Sequence, residues 1–310
     1  MSLLDIRLAA GALAGALVAS GTGSAYAHAV CGARVFPATL AIDDPGVLDE
    51  LTLPAVNYVP FNSDGAHEWD ASFSWTKTIT PGLSVVISDG PTWEHPGGYG
   101  WNGLDTELQW QALCLPDAEF MFKVGFDISW AGTGTGVLTG SGGQNTYSPL
   151  VVAGLGFGTL PSTLKYLRPF AVTAEFSTTS PGQDWTNGNP NVSTFNWGVT
   201  LQYSLPYFNT QLAEIDNDFL KHLVPIAEFA FQTPIHNGGP AGVTQTGYFQ
   251  PGVIYEANKW QIALEGMVPM TGATGHGVGV IGSLDFYLDD IPNRIDEPIF
   301  PHGLGIAPGI

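Results

Sequence analysis

The sequence predicts an all-β protein, a transmembrane antiparallel up-and-down β-barrel of about 12 strands. Three observations predict it. Long stretches alternate between apolar and polar residues with a period of two, the amino terminus has the pattern of an export signal, and only 12% of the residues are charged although the net charge is -19. The period indicates strands with two different faces, and the low charge indicates a surface that does not face water.

The strands follow from the alternation. Residues 69–76, 120–130 and 195–203 place an apolar residue at every second position and a small or polar residue at most of the others. Such segments are longer than most globular strands and match a tilted strand that crosses a bilayer. An even number of them is predicted, as in single-chain outer-membrane barrels. They lie near 50–60, 68–80, 82–91, 103–114, 118–130, 148–157, 168–178, 194–204, 222–233, 246–256, 259–268 and 277–289.

The connections between these segments differ at the two ends. One end has tight turns near 80–82, 115–117 and 257–258, and two longer links, 158–167 and 205–221, whose composition suits short helices. The other end has Gly-, Asn- and Pro-rich loops near 61–67, 91–102, 131–147, 179–193, 234–245 and 269–276. Short periplasmic turns and longer extracellular loops are typical of outer-membrane barrels, so both termini are expected in the periplasm.

The amino terminus predicts export. Arg7 precedes the apolar stretch 8–19, and an A-x-A site ends at Ala27, so 1–27 is read as a cleaved signal peptide. An uncleaved anchor is the alternative, but the apolar run is short for a span. We expect a periplasmic segment or partial plug at 28–49, the outer-membrane barrel at 50–289 and a periplasmic tail at 290–310.

Composition excludes several classes of protein. With 9 Lys+Arg against 28 Asp+Glu, the chain offers few groups for phosphates, so no nucleic-acid partner is expected. Disorder is excluded by the hydrophobic and aromatic content. A soluble β-sandwich would also alternate, with its apolar face inward. Strand length, the signal, the low charge and the asymmetry of the connections favour a barrel that contacts outer-membrane lipid.

The polar strand faces carry an excess of acids, which the barrel would direct into its lumen because charge facing lipid is costly. A wall with charge of one sign attracts counter-ions, so a lumen that favours cations or tolerates neutral solutes is predicted. The alternative is a packed polar core in which the carboxylates are protonated or hydrogen-bonded. The predicted lumen-lining residues are Glu68, Asp70, Asp105, Glu107, Lys123, Asp127, Glu175, Glu228, Glu256, Glu265 and Asp285.

The few cations gather at one end of the predicted barrel. Apart from Arg7 in the signal, every Lys and Arg falls in the predicted periplasmic half, and the outer rim has none. These residues are Arg34, Lys77, Lys123, Lys165, Arg168, Lys221, Lys259 and Arg294. An axial field is expected, negative in the lumen and outside and positive at the periplasmic base. The alternative explanation is that turns simply tolerate lysine.

Two cysteines fit an oxidising compartment. Cys31 lies in the N-terminal segment and Cys114 beside the predicted turn at 115–117, so a disulfide is expected to fasten the segment to the barrel base. Cleavage after Ala27 would make His28 the mature N-terminus, where an amine and an imidazole suit copper. An incidental histidine is the alternative. His67, His95, His236 and His276 fall on predicted outer loops without metal-binding spacing.

Several segments resemble one known family. Residues 103–110, 116–120 and 156–160, with the closing 277–280 and 286–288, resemble outer-membrane transporter-like barrels associated with phenol-degradation pathways. The resemblance implies an outer-membrane barrel with a role in solute passage and transfers no catalytic residues. The chain departs from the expected pattern because it continues past the last strand, from Asp289 to Ile310.

The predicted function is an outer-membrane channel or transporter for small-molecule solutes, without a cofactor. The sequence has no G-x-S-x-G, H-E-x-x-H or phosphate-binding motif, so no enzyme is predicted. A closed structural barrel that binds a periplasmic partner protein is the main alternative, and copper capture by His28 is another. The oligomeric state has no signal in the sequence.

Overall fold

The computed structural model describes residues 29–62, 65–135, 144–290, 297–301 and 303. The predicted signal peptide, His28, Arg294 and most of the predicted tail lie outside these residues. Within them, no helix has the length and apolar character needed to cross a membrane.

The described residues form a closed antiparallel wall with an N-terminal hairpin. In chain order the strands are β1 (Ala29–Cys31), β2 (Arg34–Phe36), β3 (Glu50–Val59), β4 (His67–Thr80), β5 (Leu83–Asp89), β6 (Pro91–His95), β7 (Gly98–Trp101), β8 (Asp105–Leu115), β9 (Phe120–Ser129), β10 (Thr146–Gly156), β11 (Phe170–Pro181), β12 (Trp185–Thr186), β13 (Asn189–Pro190), β14 (Ser193–Tyr203), β15 (Leu223–His236), β16 (Thr246–Glu256), β17 (Trp260–Pro269) and β18 (Gly279–Tyr287). The α-helices are α1 (Leu205–Gln211) and α2 (Gly238–Ala241), and short 3-10 helices span Pro116–Ala118, Ser162–Leu167, Leu220–His222, Gly272–Thr274 and Leu288–Asp290.

Twelve strands close the barrel. The order is β3-β4-β5-β8-β9-β10-β11-β14-β15-β16-β17-β18, and β18 pairs back with β3. Each wall strand pairs antiparallel with its successor in this order, which is the up-and-down arrangement that the sequence predicts. The predicted all-β barrel and its strand number are therefore confirmed. Closure leaves the wall without a free edge along its length.

Each predicted strand segment corresponds to one wall strand, and the differences lie at the ends. Two predicted loops contain paired strands. The loop 179–193 contains the short β12–β13 pair. The loop 91–102 contains the β6–β7 hairpin, in which β6 extends the pairing of β4 past the end of β5. The register continues through Gly90, whose α-carbon lies so close to the carbonyl of Ala71 that a side chain has no room. The links at 158–167 and 205–221 do contain short helices, as expected.

The wall is apolar outside and polar inside. On β17, Ile262 and Leu264 are 48% and 55% exposed, whereas Gln261 and Glu265, which flank this pair in the sequence, are 0% and 1% exposed. A soluble sandwich would show the opposite, with its large apolar side chains buried between two sheets. The exposure pattern and the closed topology therefore exclude the sandwich.

The two ends of the barrel differ. The turn end, as we call it, carries the short connections at 81–82, 116–119 and 257–259 and the two helical links 157–169 and 204–222. It also carries both ends of the wall, because Glu50 and Tyr287 are paired in register. The loop end carries the other connections, including the β6–β7 hairpin and α2. The alternation of short and long connections is the one that the sequence predicts.

An arginine on the outer face tests whether that face meets lipid. We expect Leu264→Arg, at the middle of β17, to lower the free energy of unfolding in lipid vesicles by about 2–4 kcal/mol, because the guanidinium would lie at bilayer depth. The control is Val243→Arg in the loop after α2, a residue that is 43% exposed. Chemical denaturation in vesicles gives both values, and equal effects for the two variants would contradict a lipid-facing wall.

Candidate functional site

The N-terminal segment lies inside the turn end of the barrel. The β1–β2 hairpin packs in an apolar cluster with residues of the wall, among them Met121 and Ala171. Cys31 forms a disulfide with Cys114 of β8, with the Cα atoms 5.9 Å apart. The disulfide predicted from the sequence is therefore present, and it fastens the hairpin to the barrel base.

A buried ion pair provides a second anchor for the hairpin. The Arg34 guanidinium is fully buried, and its Nε donates to Glu119 Oε2 at 3.1 Å. Nη1 and Nη2 donate to the carbonyls of Pro169 and Arg168 at 3.0 and 2.5 Å. The ring of Tyr207 lies 3.9 Å from the guanidinium carbon. Burial lowers the pKa of Arg34, and the Glu119 carboxylate opposes that effect.

Residues 37–49, which we call the inner strap, cross the lumen from this anchor to β3. One end continues from the anchored hairpin, and the other end is fixed at Asp49, whose carboxylate pairs with Lys77 and accepts the backbone N–H of Thr78. Because both ends are fixed, the strap is a loop across the lumen and not a free arm.

Wall side chains hold the middle of the strap through its backbone. Glu228 Oε2 accepts the N–H groups of Leu40 and Ala41 at 3.1 and 2.9 Å, and Glu175 Oε2 accepts the N–H of Asp43 at 2.8 Å. Gln261 Nε2 donates to the carbonyl of residue 38 at 2.7 Å. Carboxylates that accept backbone N–H groups form strong hydrogen bonds.

Lys123 is the lysine of the lumen wall, and it pairs with the strap. Its Nζ lies 2.5 Å from Asp43 Oδ2, and Gln109 Nε2 donates to the same oxygen at 2.9 Å. Lys123 is 1% exposed. The pair compensates one buried charge of the wall with one carboxylate of the strap.

The predicted lumen-lining residues all lie at polar positions of the alternating wall strands, but they fall into three groups. Lys123, Glu175 and Glu228 contact the strap. Glu256, Glu265 and Asp285 are also buried at the wall. The other five are partly exposed and lie toward the loop end of the lumen; they are Glu68, Asp70, Asp105, Glu107 and Asp127.

Both alternatives for the lumen acids have support in different places. Asp285 accepts from Thr52, Ser283 and Gln261, which is the hydrogen-bonded polar core that one alternative expects. Beside the strap, however, a cavity of about 250 Å³ is lined by carboxylates that include Glu50, Glu107 and Asp285. The turn half of the lumen is therefore packed around the strap, and acidic space remains next to it.

The cations of the described residues lie toward the turn end. Lys77 is near the β4–β5 turn, Lys123 is the fourth residue of β9, and the others lie in turn-end segments or in the anchor; these are Arg34, Lys165, Arg168, Lys221 and Lys259. Arg294 lies outside the described residues. In the described part of the chain, the cations therefore lie at one end of the barrel axis, as the sequence suggests.

The sequence did not reveal the parts of this site that depend on distant contacts. Glu119, Tyr207 and Asp43 had no assigned role, although Glu119 and Arg34 are 85 residues apart in the chain and in contact. The inward glutamines Gln109 and Gln261 were also missed. Their signal was their position on the polar strand faces, where they alternate with outward apolar residues.

The described ranges contain no large metal-binding cluster of histidine, cysteine and acidic side chains. No cluster of three or more His, Cys, Asp or Glu side chains there has the geometry to hold a metal ion. Among the loop-end histidines, His236 Nε2 lies 3.5 Å from Asp184 Oδ1, and His67 Nδ1 lies 3.1 Å from the Tyr58 hydroxyl. His28, the predicted copper ligand, lies outside the described residues.

Comparison with known proteins gives similarity of fold alone. No protein-family model matches the chain, and no curated protein matches it. The NanC porin aligns with a TM-score of 0.48 and 8% identity over 76% of this chain and 98% of the porin. An outer membrane channel from Pseudomonas putida F1 gives 0.45 and 10% over 82% and 98%, and the KdgM porin gives 0.44 and 9% over 76% and 98%. The barrel assignment rests on the strand pairing of the chain itself.

Lys123 is predicted to hold the strap in place. In Lys123→Gln, Asp43 loses its ionic partner, and hydrogen bonds to charged groups contribute about 1.5–3 kcal/mol, so amide exchange of residues 37–49 should be roughly ten- to a hundredfold faster. Hydrogen exchange with mass spectrometry measures this. Lys259→Gln, in a turn at the same end, is the control and should leave the strap unchanged. Unchanged exchange in Lys123→Gln would show that the ion pair does not hold the strap.

Asp44 makes the seating of the strap depend on pH. Burial raises the pKa of Asp44 to about 7; the carboxylates of Asp43 and Asp285 add to the rise, while Lys123 and the N–H of Gly46 oppose it. The seated strap therefore binds this proton more tightly than the unfolded chain does. The stabilisation is complete below the ordinary aspartate pKa and is lost as the pH rises through about 7.

We expect strap amides to exchange more slowly at pH 5 than at pH 8 after correction for the intrinsic rate. In Asp44→Asn this difference should shrink, because the side chain no longer titrates. Asp117→Asn, a change in the turn before β9, serves as the control and should keep the full difference. An unaltered pH dependence in Asp44→Asn would remove Asp44 from this role.

Proposed function

We propose that this chain is an outer-membrane channel for small solutes, with a lumen that favours cations and tolerates neutral compounds. One observation carries the proposal: a closed wall exposes apolar side chains outward and encloses an acid-lined space. Lipid around a polar interior is the arrangement that such a wall suits. The turn end then faces the periplasm and the loop end faces the exterior.

The charge distribution supports cation preference. Carboxylates outnumber the lysine on the lumen wall, and that lysine is already paired with Asp43 of the strap. A low-dielectric wall with unbalanced negative charge concentrates cations and repels anions. The resemblance to barrels associated with phenol-degradation pathways suggests neutral aromatic compounds as a further class of solute.

The strap determines how far the channel is open. Its middle is held by hydrogen bonds and one ion pair, whereas its ends are fixed by the disulfide, the Arg34 pair and the continuation into β3. A loop of this kind can bow away from the wall without leaving the barrel. We propose that solute passes when the middle contacts are released.

A closed barrel that binds a partner protein is the second candidate. The observation that favours it is the packed turn half of the lumen, where the strap and the hairpin fill the space. In that case a periplasmic partner would bind at the turn end, and the lumen would have a structural role. That the chain is not an enzyme remains a prediction from the absence of motifs.

Conductance separates the two candidates. We expect the full chain in planar bilayers to conduct K⁺ in preference to Cl⁻, and Lys123→Gln to increase the single-channel conductance because the strap is released. Lys259→Gln is the matched control and should behave as the unaltered protein. Absence of conductance in all three proteins would favour the closed barrel, and a preference for Cl⁻ would refute the argument from the lumen acids.

A further inference from the structure

A transverse row of oxygen-bearing side chains lies behind the strap. Thr200 of β14 is in register with Glu228 of β15, and Glu228 is in register with Gln250 of β16. Two residues further along β16, Gly252 is in register with Glu265 of β17. The absence of a side chain at Gly252 leaves the Glu265 side chain the space against the β16 backbone. Four adjacent strands thus present oxygen atoms to one region of the lumen wall, where Glu265 is displaced by two residues along β16 from Gln250.

Several of these oxygens have no hydrogen bond. Both oxygens of Glu228 already accept hydrogen bonds, Oε1 from Thr200 and Oε2 from the strap amides of residues 40 and 41. In contrast, Glu265 Oε1, Glu265 Oε2 and Gln250 Oε1 are buried and make no hydrogen bond of ordinary geometry to the described residues, although the Glu228 carboxyl group and the N–H of Leu40 lie beside Glu265. Glu265 is 1% exposed and Gln250 is 4% exposed.

Such an arrangement needs a positive group that the described residues do not supply. A buried carboxylate without a partner is strongly unfavourable, and a second carboxylate beside it increases the cost. The wall lysine, Lys123, is bound to Asp43. The groups beside Glu265 are the Glu228 carboxyl group and the N–H of Leu40, so no cationic side chain of the described residues compensates it.

We propose that Glu265, Gln250 and Glu228 bind a hard divalent cation, of which Ca²⁺ is the natural probe. Every available ligand atom is a carboxylate or amide oxygen, which is the ligand type that Ca²⁺ takes in proteins. One dication balances the two carboxylates. The site consists of two acidic side chains and one amide. It therefore falls outside the clusters of three or more His, Cys, Asp or Glu side chains considered above.

The site adjoins the strap. The Glu228 carboxylate that faces this row also accepts the amides of Leu40 and Ala41. A cation at Glu265 would fix the Glu228 side chain in the position that the strap needs. Cation binding would therefore stabilise the seated strap, and this follows whether or not the barrel conducts solutes.

The competing explanation is a shared proton between Glu228 and Glu265. A protonated carboxyl group would lower the charge of the pair without any metal ion. The two explanations differ in one measurable respect, because only a cation site responds to added Ca²⁺. A conservative Glu265→Gln substitution keeps the size of the side chain and removes its charge, so a shared proton predicts that this variant is at least as stable.

The experiment uses the full chain, purified in detergent and freed of divalent ions with a chelator. We expect isothermal titration with Ca²⁺ to show one saturable site, and Ca²⁺ to raise the unfolding temperature and slow amide exchange of residues 37–49. In Glu265→Gln the affinity should fall by about tenfold or more, because affinity follows the number of charged ligands. Glu68→Gln, an acid toward the loop end, is the control and should bind as the unaltered protein does.

Gln250→Met provides a second variant if Glu265→Gln does not fold. It removes the amide oxygen, keeps the side-chain length, and should also weaken Ca²⁺ binding. The proposal is overturned if the unaltered protein shows no saturable binding, or if the folded variants bind Ca²⁺ with unchanged affinity. A Glu265→Gln variant that is more stable than the parent, together with no Ca²⁺ effect in the parent, would establish the shared proton instead.

Discussion

The closure of the wall between β18 and β3 is the constraint on which the other features depend. A sheet in lipid cannot leave backbone groups unpaired at an edge, because each such group costs several kcal/mol, and a closed ladder removes both edges. In a closed wall, each side chain points either outward or into the lumen. Apolar residues such as Leu264 face outward, and their neighbours, such as Glu265, face a confined interior. The polar groups that face this interior then need hydrogen-bond partners.

The inner strap supplies many of these hydrogen-bond partners. The wall presents carboxylates with one lysine among them, and the strap supplies backbone N–H groups to Glu228 and Glu175 and a carboxylate to Lys123. The strap is irregular, so its own amides have no secondary structure to satisfy them. The wall carboxylates and the strap amides thus satisfy each other's hydrogen-bonding groups. Beside the strap, at Glu265, two carboxylate oxygens make no hydrogen bond of ordinary geometry to the described residues, and this is the place where we propose an external cation.

The two ends of the barrel have different mechanical roles. At the turn end, the disulfide and the Arg34–Glu119 pair attach the N-terminal hairpin to the wall. Breaking a buried ion pair leaves an uncompensated charge, so this anchor is costly to detach. The loop end carries the partly exposed acids, such as Glu68 and Asp105. Movement is therefore expected in the middle of the strap and not in its attachments.

The sequence by itself determined the positions of the wall strands, their inward and outward faces, the two kinds of connection and the pairing of Cys31 with Cys114. These features are local or periodic, and alternation with a period of two assigns a face to each residue without knowledge of its neighbours in space. Only the tertiary structure decided the β6–β7 hairpin, the path of the strap and the partners of Arg34. The hairpin depends on how far β4 extends beyond the end of β5, because β6 pairs with that extension. The strap has no periodic pattern, and its contacts join residues as far apart as Leu40 and Glu228, whose proximity exists once the wall has closed around them.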